Sequence, residues 1–394
     1  KNARQNQFKG DDDEAIKTLE KKIYRSVKLQ QISDAPIGAF LSGGIDSSLI
    51  TALMQKSSDT PVNTFSIGFD YQKFNEAENA KKIASYLHTN HTEFYVSDKD
   101  ALDIIPLLPS LYDEPFADSS QIPTFLLSKL AKKKVTVSLS GDGGDELFFG
   151  YERYIWAMKF FQLRKFIRKI FGITLSPMVR PLSAIYEVNK LERLKSILLA
   201  DSKFQIYRNL ISDYPNDYNL LDKKYNYPDR IQNIWNKLGL DINIKQKMML
   251  TDLTTYLTDD ILCKVDRAAM GVSLEVRVPL LDKDIIEFSL RLPNHLKYRR
   301  GQTKWILRKI LHKHIPESYL VGGKRGFAVP LANWLRGPLK QWGEDLIYAD
   351  DSNINTYLNS NMVIQIWEEH QSGKNDWKSL LWKILVFKQW LNTV

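Results

Sequence analysis

The segment best suited to chemistry is PIGAFLSGGIDSS, at positions 36–48. Its apolar first half predicts a short buried strand, and the apolar spacing after the two glycines predicts a helix. This arrangement can bind phosphate, because glycine lets the backbone approach an anion and the first helical N–H groups point at it. The carboxylate of Asp46 could also hold Mg²⁺. The residues of interest are Ser42, Gly43, Gly44, Asp46, Ser47 and Ser48.

This turn matches neither of the two common nucleotide-binding motifs. No Gly-Lys-Ser/Thr closes it, as in a Walker loop, and its glycine spacing is not GxGxxG. Two glycines after a strand also serve as an ordinary turn. The segment alone therefore leaves a phosphate site and a plain turn both open.

A second glycine turn, SGDGGDE at 140–146, carries three acids within five residues. Acids this close repel one another unless a cation neutralises them. The turn is therefore either a Ca²⁺ or Mg²⁺ loop or an aspartate-capped turn before a helix at 146–160. If the two turns meet, Asp46 and one acid of the second turn could hold a magnesium ion that bridges ATP phosphates. Those acids are Asp142, Asp145 and Glu146.

The order of elements predicts the fold class. Strands alternate with amphipathic helices up to Tyr151, and the pattern is helical from there on. Alternation predicts an α/β fold with a parallel sheet, helices on both of its faces, and ligands beyond the carboxyl ends of the strands. Both glycine turns follow such strand ends, so they could face one crevice. The strands are predicted at 37–41, 62–68, 91–96 and 135–139, with helices at 14–30, 75–87, 101–111 and 122–132.

Three cationic residues could counter the charge of a polyphosphate. Lys304 lies in TKWILRKIL, whose apolar spacing predicts a helix, although a single helical lysine is usually only solvated. Lys324 and Arg325 lie in the glycine-rich segment GGKRGF, which is equally typical of a surface turn. The histidines provide no ligand set. Cys263 is predicted to be a core residue in the middle of a helix.

Composition narrows the class of protein. The net charge of +9 could indicate nucleic acid, but the basic residues are scattered rather than gathered into one tract. A single cysteine excludes a disulfide framework, and no apolar run has membrane-spanning length. We therefore expect a cytoplasmic protein with no membrane partner.

The accumulated motifs resemble the synthetase domain of the glutamine-dependent asparagine synthetases. The first turn is similar to the pyrophosphate loop (PP-loop) of the ATP pyrophosphatases, whose fold is adenine nucleotide α-hydrolase-like. The match is weakest over 160–245. The motifs are LSGGIDSS (41–48), FSIGF (65–69), DEPFADSS (113–120), LSGDGGDELFFGY (139–151), SLEVRVPLLD (273–282), TKWILR (303–308) and GGKRGFAVPLANWLRG (322–337).

The resemblance implies ATP and Mg²⁺ as cofactors, bound on both turns. The residues implied to bind pyrophosphate are Ser42, Gly43, Gly44, Asp46 and Ser47. Leu41 and Ile67 are implied to line the adenine pocket, and Ser140 and Gly141 to make other nucleotide contacts. Asp46 and Asp145 are implied to bind Mg²⁺.

It also implies catalytic roles. Lys304 would stabilise charge in the adenylation or amidation transition state, while Lys324 and Arg325 would lie on a loop that covers the phosphates. Two positions depart from the family's pattern. Asp142 stands where glutamate is usual, so as a general base it reaches one methylene less far toward ammonia. Phe149 stands where glycine is usual, and we expect it to reshape the edge of the pocket.

The implied reaction is the adenylation of the aspartate side chain by Mg-ATP, release of pyrophosphate, and attack of ammonia to give asparagine and AMP. Ammonia normally comes from glutamine through an N-terminal glutaminase domain that starts with cysteine. This chain starts at Lys1 and has no cysteine before Cys263, so that domain is expected to be removed, lost or on another chain. A homodimer is compatible with the sequence.

Two alternatives stay open. The same chemistry could act on another carboxylate, such as a sugar acid of a surface polysaccharide or a small metabolite, because Phe149 and the 160–245 segment depart from the family. A tRNA-modifying or RNA-binding protein is disfavoured, since LEVRVPLLD and KRGF are not motifs of the tRNA enzymes. The expected organisation is a linker at 1–13, an ATP-binding α/β core at 14–151, a helical insertion at 152–246, and a helical remainder at 247–394 that completes the active site.

Overall fold

The structure is a computed structural model, and it describes residues 6–69, 77–171, 194, 196–212, 220–221, 229–239, 242–320, 329–349 and 357–393. The chain divides into two compact units. Unit 1 comprises Lys1–Leu107, Asp118–Tyr151 and Asp241–Val329, and unit 2 comprises Leu108–Ala117, Glu152–Leu240 and Pro330–Val394.

Unit 1 contains a five-stranded parallel sheet, which confirms the predicted fold class. The strand order is β3-β2-β1-β4-β5, so the chain turns to the other side of β1 when it forms β4. Open α/β sheets bind ligands at such a reversal of strand order, in the crevice beyond the carboxyl ends of the two neighbouring strands, here β1 and β4. The strands are β1 (Ile37–Phe40), β2 (Asn63–Phe69), β3 (Asn90–Val96), β4 (Val137–Leu139) and β5 (Glu275–Arg277), followed by a hairpin of β6 (Tyr298–Arg299) and β7 (Gln302–Thr303).

Helices surround this sheet and form most of unit 2. Among the described residues they are α1 (Asp12–Gln30), α2 (Ile45–Lys56), α3 (Ala77–Leu87), α4 (Asp98–Ile104), α5 (Leu108–Leu111), α6 (Gln121–Lys132), α7 (Gly144–Phe148), α8 (Glu152–Phe171), α9 (Lys203–Ile211), α10 (Arg230–Lys237), α11 (Ile244–Leu253), α12 (Cys263–Met270), α13 (Lys283–Arg291), α14 (Asn294–Lys297), α15 (Trp305–Leu311), α16 (Leu331–Arg336), α17 (Lys340–Ile347), α18 (Ser360–Gln371) and α19 (Lys378–Leu391). Within these described segments, no helix is long and apolar enough to cross a bilayer.

The edge strand β5 lies in a stretch that the sequence pattern assigned to the helical part of the chain. Its residues pair in parallel with β4, from Val137 with Glu275 to Leu139 with Arg277. The Arg277 guanidinium then donates to the carbonyls of Gln30 and Ile32, both at 2.8 Å. A strand of three residues is too short to show alternation, so periodicity could not predict it.

The predicted helix at 146–160 is wrong because it breaks between α7 and α8. Phe149, between them, has a left-handed backbone with φ of 59°, and the N–H of Gly150 donates to the Asp145 carbonyl at 2.8 Å. Cys263 lies in the middle of a helical stretch, as predicted, because the π-helix Leu257–Leu262 continues into α12. The prediction that it is a core residue is wrong, since it is only half-buried.

The core of unit 1 is formed by α1, α2 and α15 with the sheet and the segments around them. One apolar cluster runs from Ala15 and Leu19 through Leu49 and Leu53 to Ile310. This cluster explains the helix patterns of the sequence, because each of these positions belongs to one apolar face.

In unit 2 a buried polar cluster joins α18 to the start of α19. The backbone N–H of Trp377 donates to Nδ1 of His370 at 3.1 Å, and the Trp377 indole donates to Glu369 at 2.9 Å. Burial lowers the pKa of His370 to about 4, and the Arg336 guanidinium acts in the same direction against the opposing charge of Asp376. The folded protein therefore holds His370 neutral.

We expect this histidine to make the stability of the protein fall as the pH is lowered from 7 to 5. The unfolded chain takes up a proton near pH 6.5, whereas folded His370 does so near pH 4, so acid favours unfolding by about 2 kcal/mol over this window. Thermal unfolding of wild type and His370→Asn, whose side-chain oxygen can still accept from Trp377, measures the effect. Between pH 7 and 5 the variant should lose less stability than wild type. An equal dependence of the unfolding temperature on pH in both proteins would contradict the prediction.

Candidate active site

The first glycine turn leads from β1 into α2. Gly43 has a φ of +76°, a left-handed backbone that favours glycine, and a Cβ there would lie 2.9 Å from Cβ of Asn79. The hydroxyls of Ser42 and Ser47 are 3.0 Å apart, and the Ser47 hydroxyl also accepts from the Ser42 N–H at 3.2 Å. The N-cap of α2 is Gly44, with no side-chain cap hydrogen bond. The start of α2 therefore has the features of an anion-binding site, a glycine turn that leads into uncapped helical N–H groups.

The second glycine turn packs directly on the first. A Cβ on Gly141 would lie 2.6 Å from the backbone nitrogen of Ser47 and 2.8 Å from the carbonyl carbon of Asp46. A Cβ on Gly144 would lie 2.4 Å from Oδ1 of Asp46. Glycine is thus required at both positions because another backbone or carboxylate occupies the space.

Lys304 links the two turns electrostatically. Its Nζ forms ion pairs with the carboxylate of Asp46 and with Oδ1 of Asp145, the latter at 2.6 Å. All three side chains are buried, with 3%, 8% and 5% of their residue surfaces exposed for Lys304, Asp46 and Asp145. Side chains this deeply buried stay charged only when they neutralise one another.

The predicted helical position of Lys304 is wrong. The residue is the N-cap of α15, with φ of 52°, and its N–H donates to the carbonyl of Phe148 at 3.2 Å. This left-handed conformation follows the β6–β7 hairpin. The lysine is thus placed by a turn rather than by a helix face, which a single sequence does not reveal.

Asp46 and Asp145 fit a Mg²⁺ ion. Two carboxylates converge on one cationic group, the Lys304 ammonium, which occupies the position of a cation between them. Mg²⁺ prefers oxygen ligands and commonly takes one or two carboxylates with substrate phosphates. Within the described part of the chain, no group of three or more acidic, histidine or cysteine residues could hold a metal by itself.

A cavity of about 400 Å³ opens at the two turns, within the range of ligand pockets. Leu41 and Ile67 are buried and do not line this cavity. Gly43, Asp145 and Lys304 also lie outside its lining, and Lys324 and Arg325 fall outside the described residues. The predicted site residues on the lining are Ser42, Gly44, Asp46, Ser47, Ser140, Gly141 and Asp142.

The two positions that depart from the resemblance differ in placement. Asp142 lines the cavity, and its carboxylate accepts from the Ser140 hydroxyl at 2.8 Å. Phe149 does not line the cavity; its ring packs on Tyr298 with centroids 5.2 Å apart. That Phe149 reshapes the pocket edge therefore stays a prediction.

Several residues on the cavity lining had no predicted role, among them Asp118, Ser119, Ser120 and Lys264. The Lys264 ammonium donates to Asp118 at 2.7 Å, and the Ser120 N–H donates to the same carboxylate at 2.9 Å. Burial would raise the pKa of Asp118, but the Lys264 charge and these hydrogen bonds hold it below its usual value. One signal was present: Lys264 precedes Ala268 by four residues, on the buried face of α12.

A π-helix borders the same cavity. It covers Leu257–Leu262, and Tyr256 and Ile261 contribute to the lining. Such insertions into α-helices occur frequently at functional sites. Together, these features define an α/β protein. A glycine turn of the kind that binds phosphate lies where the strand order of its parallel sheet reverses.

Comparison with known proteins agrees with this class of protein. The sequence matches the asparagine synthase family over residues 18–392. The chain is 33% identical to asparagine synthetase (glutamine-hydrolyzing) 1 of Bacillus subtilis over 392 residues, covering 96% of this chain and 60% of the relative. It is 25% identical to asparagine synthetase (glutamine-hydrolyzing) 3 of the same organism over 386 residues, covering 94% and 58%.

The chain belongs to the asparagine synthase family. It spans about three fifths of the length of the two curated relatives described above.

Proposed function

We propose that this chain catalyses ATP-dependent amide synthesis through an acyl-adenylate, with the side-chain carboxylate of aspartate as acceptor and ammonia as nitrogen donor. The observation that carries the proposal is the packing of the two glycine turns, with Asp46 and Asp145 converging on Lys304. Family membership supports the same chemistry.

In the first step a carboxylate oxygen of the acceptor attacks the α-phosphorus of ATP, and the bond to pyrophosphate breaks. Ser42, Gly43, Gly44 and Ser47 would hold the departing pyrophosphate at the start of α2. Mg²⁺, bound by Asp46 and Asp145, would neutralise phosphate charge. Leu41 and Ile67 would bound the adenine site, and Ser140 and Gly141 would contact the nucleotide.

In the second step the nitrogen of ammonia attacks the acyl carbon, and AMP leaves with the electrons of the carbon–oxygen bond. Asp142 faces the cavity and would accept the proton that the nitrogen loses. Lys304 would counter the negative charge that develops in the transition state. Lys324 and Arg325 are proposed to contact the phosphates.

The nitrogen source is proposed from the relatives, whose names describe them as glutamine-hydrolyzing. A glutaminase, as a further domain or a separate chain, would supply ammonia to this chain. Ammonium added in solution should replace that source, so the synthetase reaction can be tested on the chain alone.

Pyrophosphate release with aspartate, ammonium and Mg-ATP tests the proposal. We expect wild type to release pyrophosphate and Asp46→Asn to do so at least about 100-fold more slowly, because the variant removes a metal ligand and the charge that pairs with Lys304. The exposed Asp59→Asn is the matched control and should behave as wild type. Wild-type release no faster than that of Asp46→Asn would refute adenylation of aspartate.

A further inference from the structure

The short turn after α7 contacts both members of the Asp145–Lys304 ion pair. Its middle residue is Phe149, preceded by Phe148 and followed by Gly150. The N–H of Lys304 donates to the carbonyl of Phe148, and the N–H of Gly150 donates to the carbonyl of Asp145. A Cβ on Gly150 would overlap the Asp145 carboxylate and the Lys304 side chain. A displacement of this turn would therefore move the lysine relative to the carboxylate.

Phe149 holds the turn through an aromatic contact with the segment that leads to Lys304. Phe149 is 1% exposed, and its ring centroid lies 5.2 Å from that of Tyr298, with the rings tilted by 47°. Tyr298 begins the β6–β7 hairpin and pairs with Thr303, which directly precedes Lys304. The Lys245 ammonium, from α11, lies over both rings, 5.8 and 5.1 Å from their centroids. We call the side chains of Phe149, Tyr298 and Lys245 the aromatic clamp.

The backbone of Phe149 indicates that the contacts of its ring outweigh a local cost. Its φ of 59° is left-handed, a conformation that a bulky side chain disfavours and glycine adopts freely. Glycine, which the family's pattern has at this position, would form the turn without strain. Strained residues persist only where the surrounding structure determines them, and they concentrate at functional sites. The clamp therefore fixes the conformation of the turn.

We propose that Phe149 is a positioning residue, whose clamp sets the spacing of Lys304 and Asp145 and thereby the charge that the site presents to Mg-ATP. The ion pair joins α7 to the start of α15, and the clamp joins the residue after α7 to the hairpin before α15. Two contacts between the same segments restrict their relative rotation, which one ion pair does not. The inference rests on the proposed function for its effect on the reaction, but not for its effect on Lys304.

Chemical labelling of lysine tests the clamp without requiring catalysis. Phe149→Gly removes the ring and permits the left-handed turn, so any change is assigned to the ring. We expect N-acetoxysuccinimide to acetylate Lys304 about 10-fold faster in this variant than in wild type, measured by mass spectrometry in EDTA. Lys264, a buried lysine elsewhere in unit 1, reports general loosening and should react at the wild-type rate. No acceleration at Lys304, or an equal one at both lysines, would overturn the proposal.

A matched control lies in the same unit. Phe288 on α13 packs on Phe8 with ring centroids 5.5 Å apart, and the Lys22 ammonium lies 5.9 Å from the Phe288 centroid. Phe288→Ala removes the same kind of contact away from the glycine turns and should leave the acetylation of Lys304 unchanged. Equally fast acetylation of Lys304 in this variant would mean that any core defect exposes the lysine, and would overturn the proposal.

Substitutions of Tyr298 assign the effect to the pair of rings. Tyr298→Phe keeps the ring and should be labelled as wild type is, whereas Tyr298→Ala should be labelled as Phe149→Gly is. Because each substitution removes the same contact, Lys304 in the double variant should react no more than about twice as fast as in either single variant. Accelerations that multiply would mean that the two rings act independently, and would overturn the clamp.

The proposed reaction supplies a second readout. Phe149→Gly should need about 10-fold more Mg²⁺ for half-maximal pyrophosphate release, with an unchanged KM for aspartate because Phe149 does not line the cavity. The Mg²⁺ requirement does not depend on the fraction of enzyme that is folded, so a wild-type value would show a merely structural role and overturn the proposal. If wild type releases no pyrophosphate, the proposed function fails, while the acetylation of Lys304 still decides the clamp.

Discussion

Replacing Lys304 by methionine is expected to destabilise the protein strongly in the absence of divalent cations and to abolish adenylation. The substitution leaves Asp46 and Asp145 buried without their ammonium partner. Removing one partner of a buried ion pair costs about 3–5 kcal/mol. The thermal unfolding midpoint in EDTA should therefore fall by several degrees, and pyrophosphate release should be lost.

Mg²⁺ should recover part of that stability, because it can neutralise the same two carboxylates. The measurement is the unfolding midpoint of Lys304→Met with EDTA and with excess Mg²⁺. Lys309→Met, an exposed position on the same helix α15, is the control and should show neither effect. An equal loss of stability in both variants, or no gain with Mg²⁺, would contradict the role assigned to the pair of carboxylates.

Gly141→Ala is expected to disrupt the nucleotide site, although the substitution adds only one methyl group. The new methyl group would meet the backbone of Ser47 and Asp46 at 2.6 and 2.8 Å, so the start of α2 would have to move. Overpacking of this kind costs about 1–3 kcal/mol, and displacing the anion site should weaken Mg-ATP binding at least about 10-fold.

Gly44→Ala controls for packing, because its methyl group would contact only the Ser42 hydroxyl, at 3.3 Å. Unfolding midpoints compare the two variants, and Mg-ATP titration measures the effect of Gly141→Ala. The prediction fails if Gly141→Ala unfolds at the same temperature as Gly44→Ala and binds Mg-ATP as wild type does.

The sequence was most informative where local patterns determine structure. Alternating strands and helices predicted the parallel sheet, and the two glycine turns were placed correctly at the ends of β1 and β4. Here composition, periodicity and turn chemistry agree with one another, which is the situation in which sequence predicts structure well.

Non-local features escaped prediction. The pairing of β5 with β4, the left-handed backbone of Lys304 and the ion pair of Asp118 with Lys264 each depend on residues far apart in sequence. Asp118 and Lys264 are 146 positions apart, so no window of sequence displays them together. Their buried state was the missing information, since a lysine is usually solvated.

The discontinuity of unit 1 has a consequence for how the site can form. Asp46 and Lys304 are 258 positions apart, and the segment Asp241–Val329 supplies β5, Lys264 and Lys304 to the unit that carries both glycine turns. A fragment ending at Tyr151 would contain both turns but neither of these lysines. During synthesis, the ion pairs of the site can close only after most of the chain has left the ribosome, and contacts of such long range form slowly.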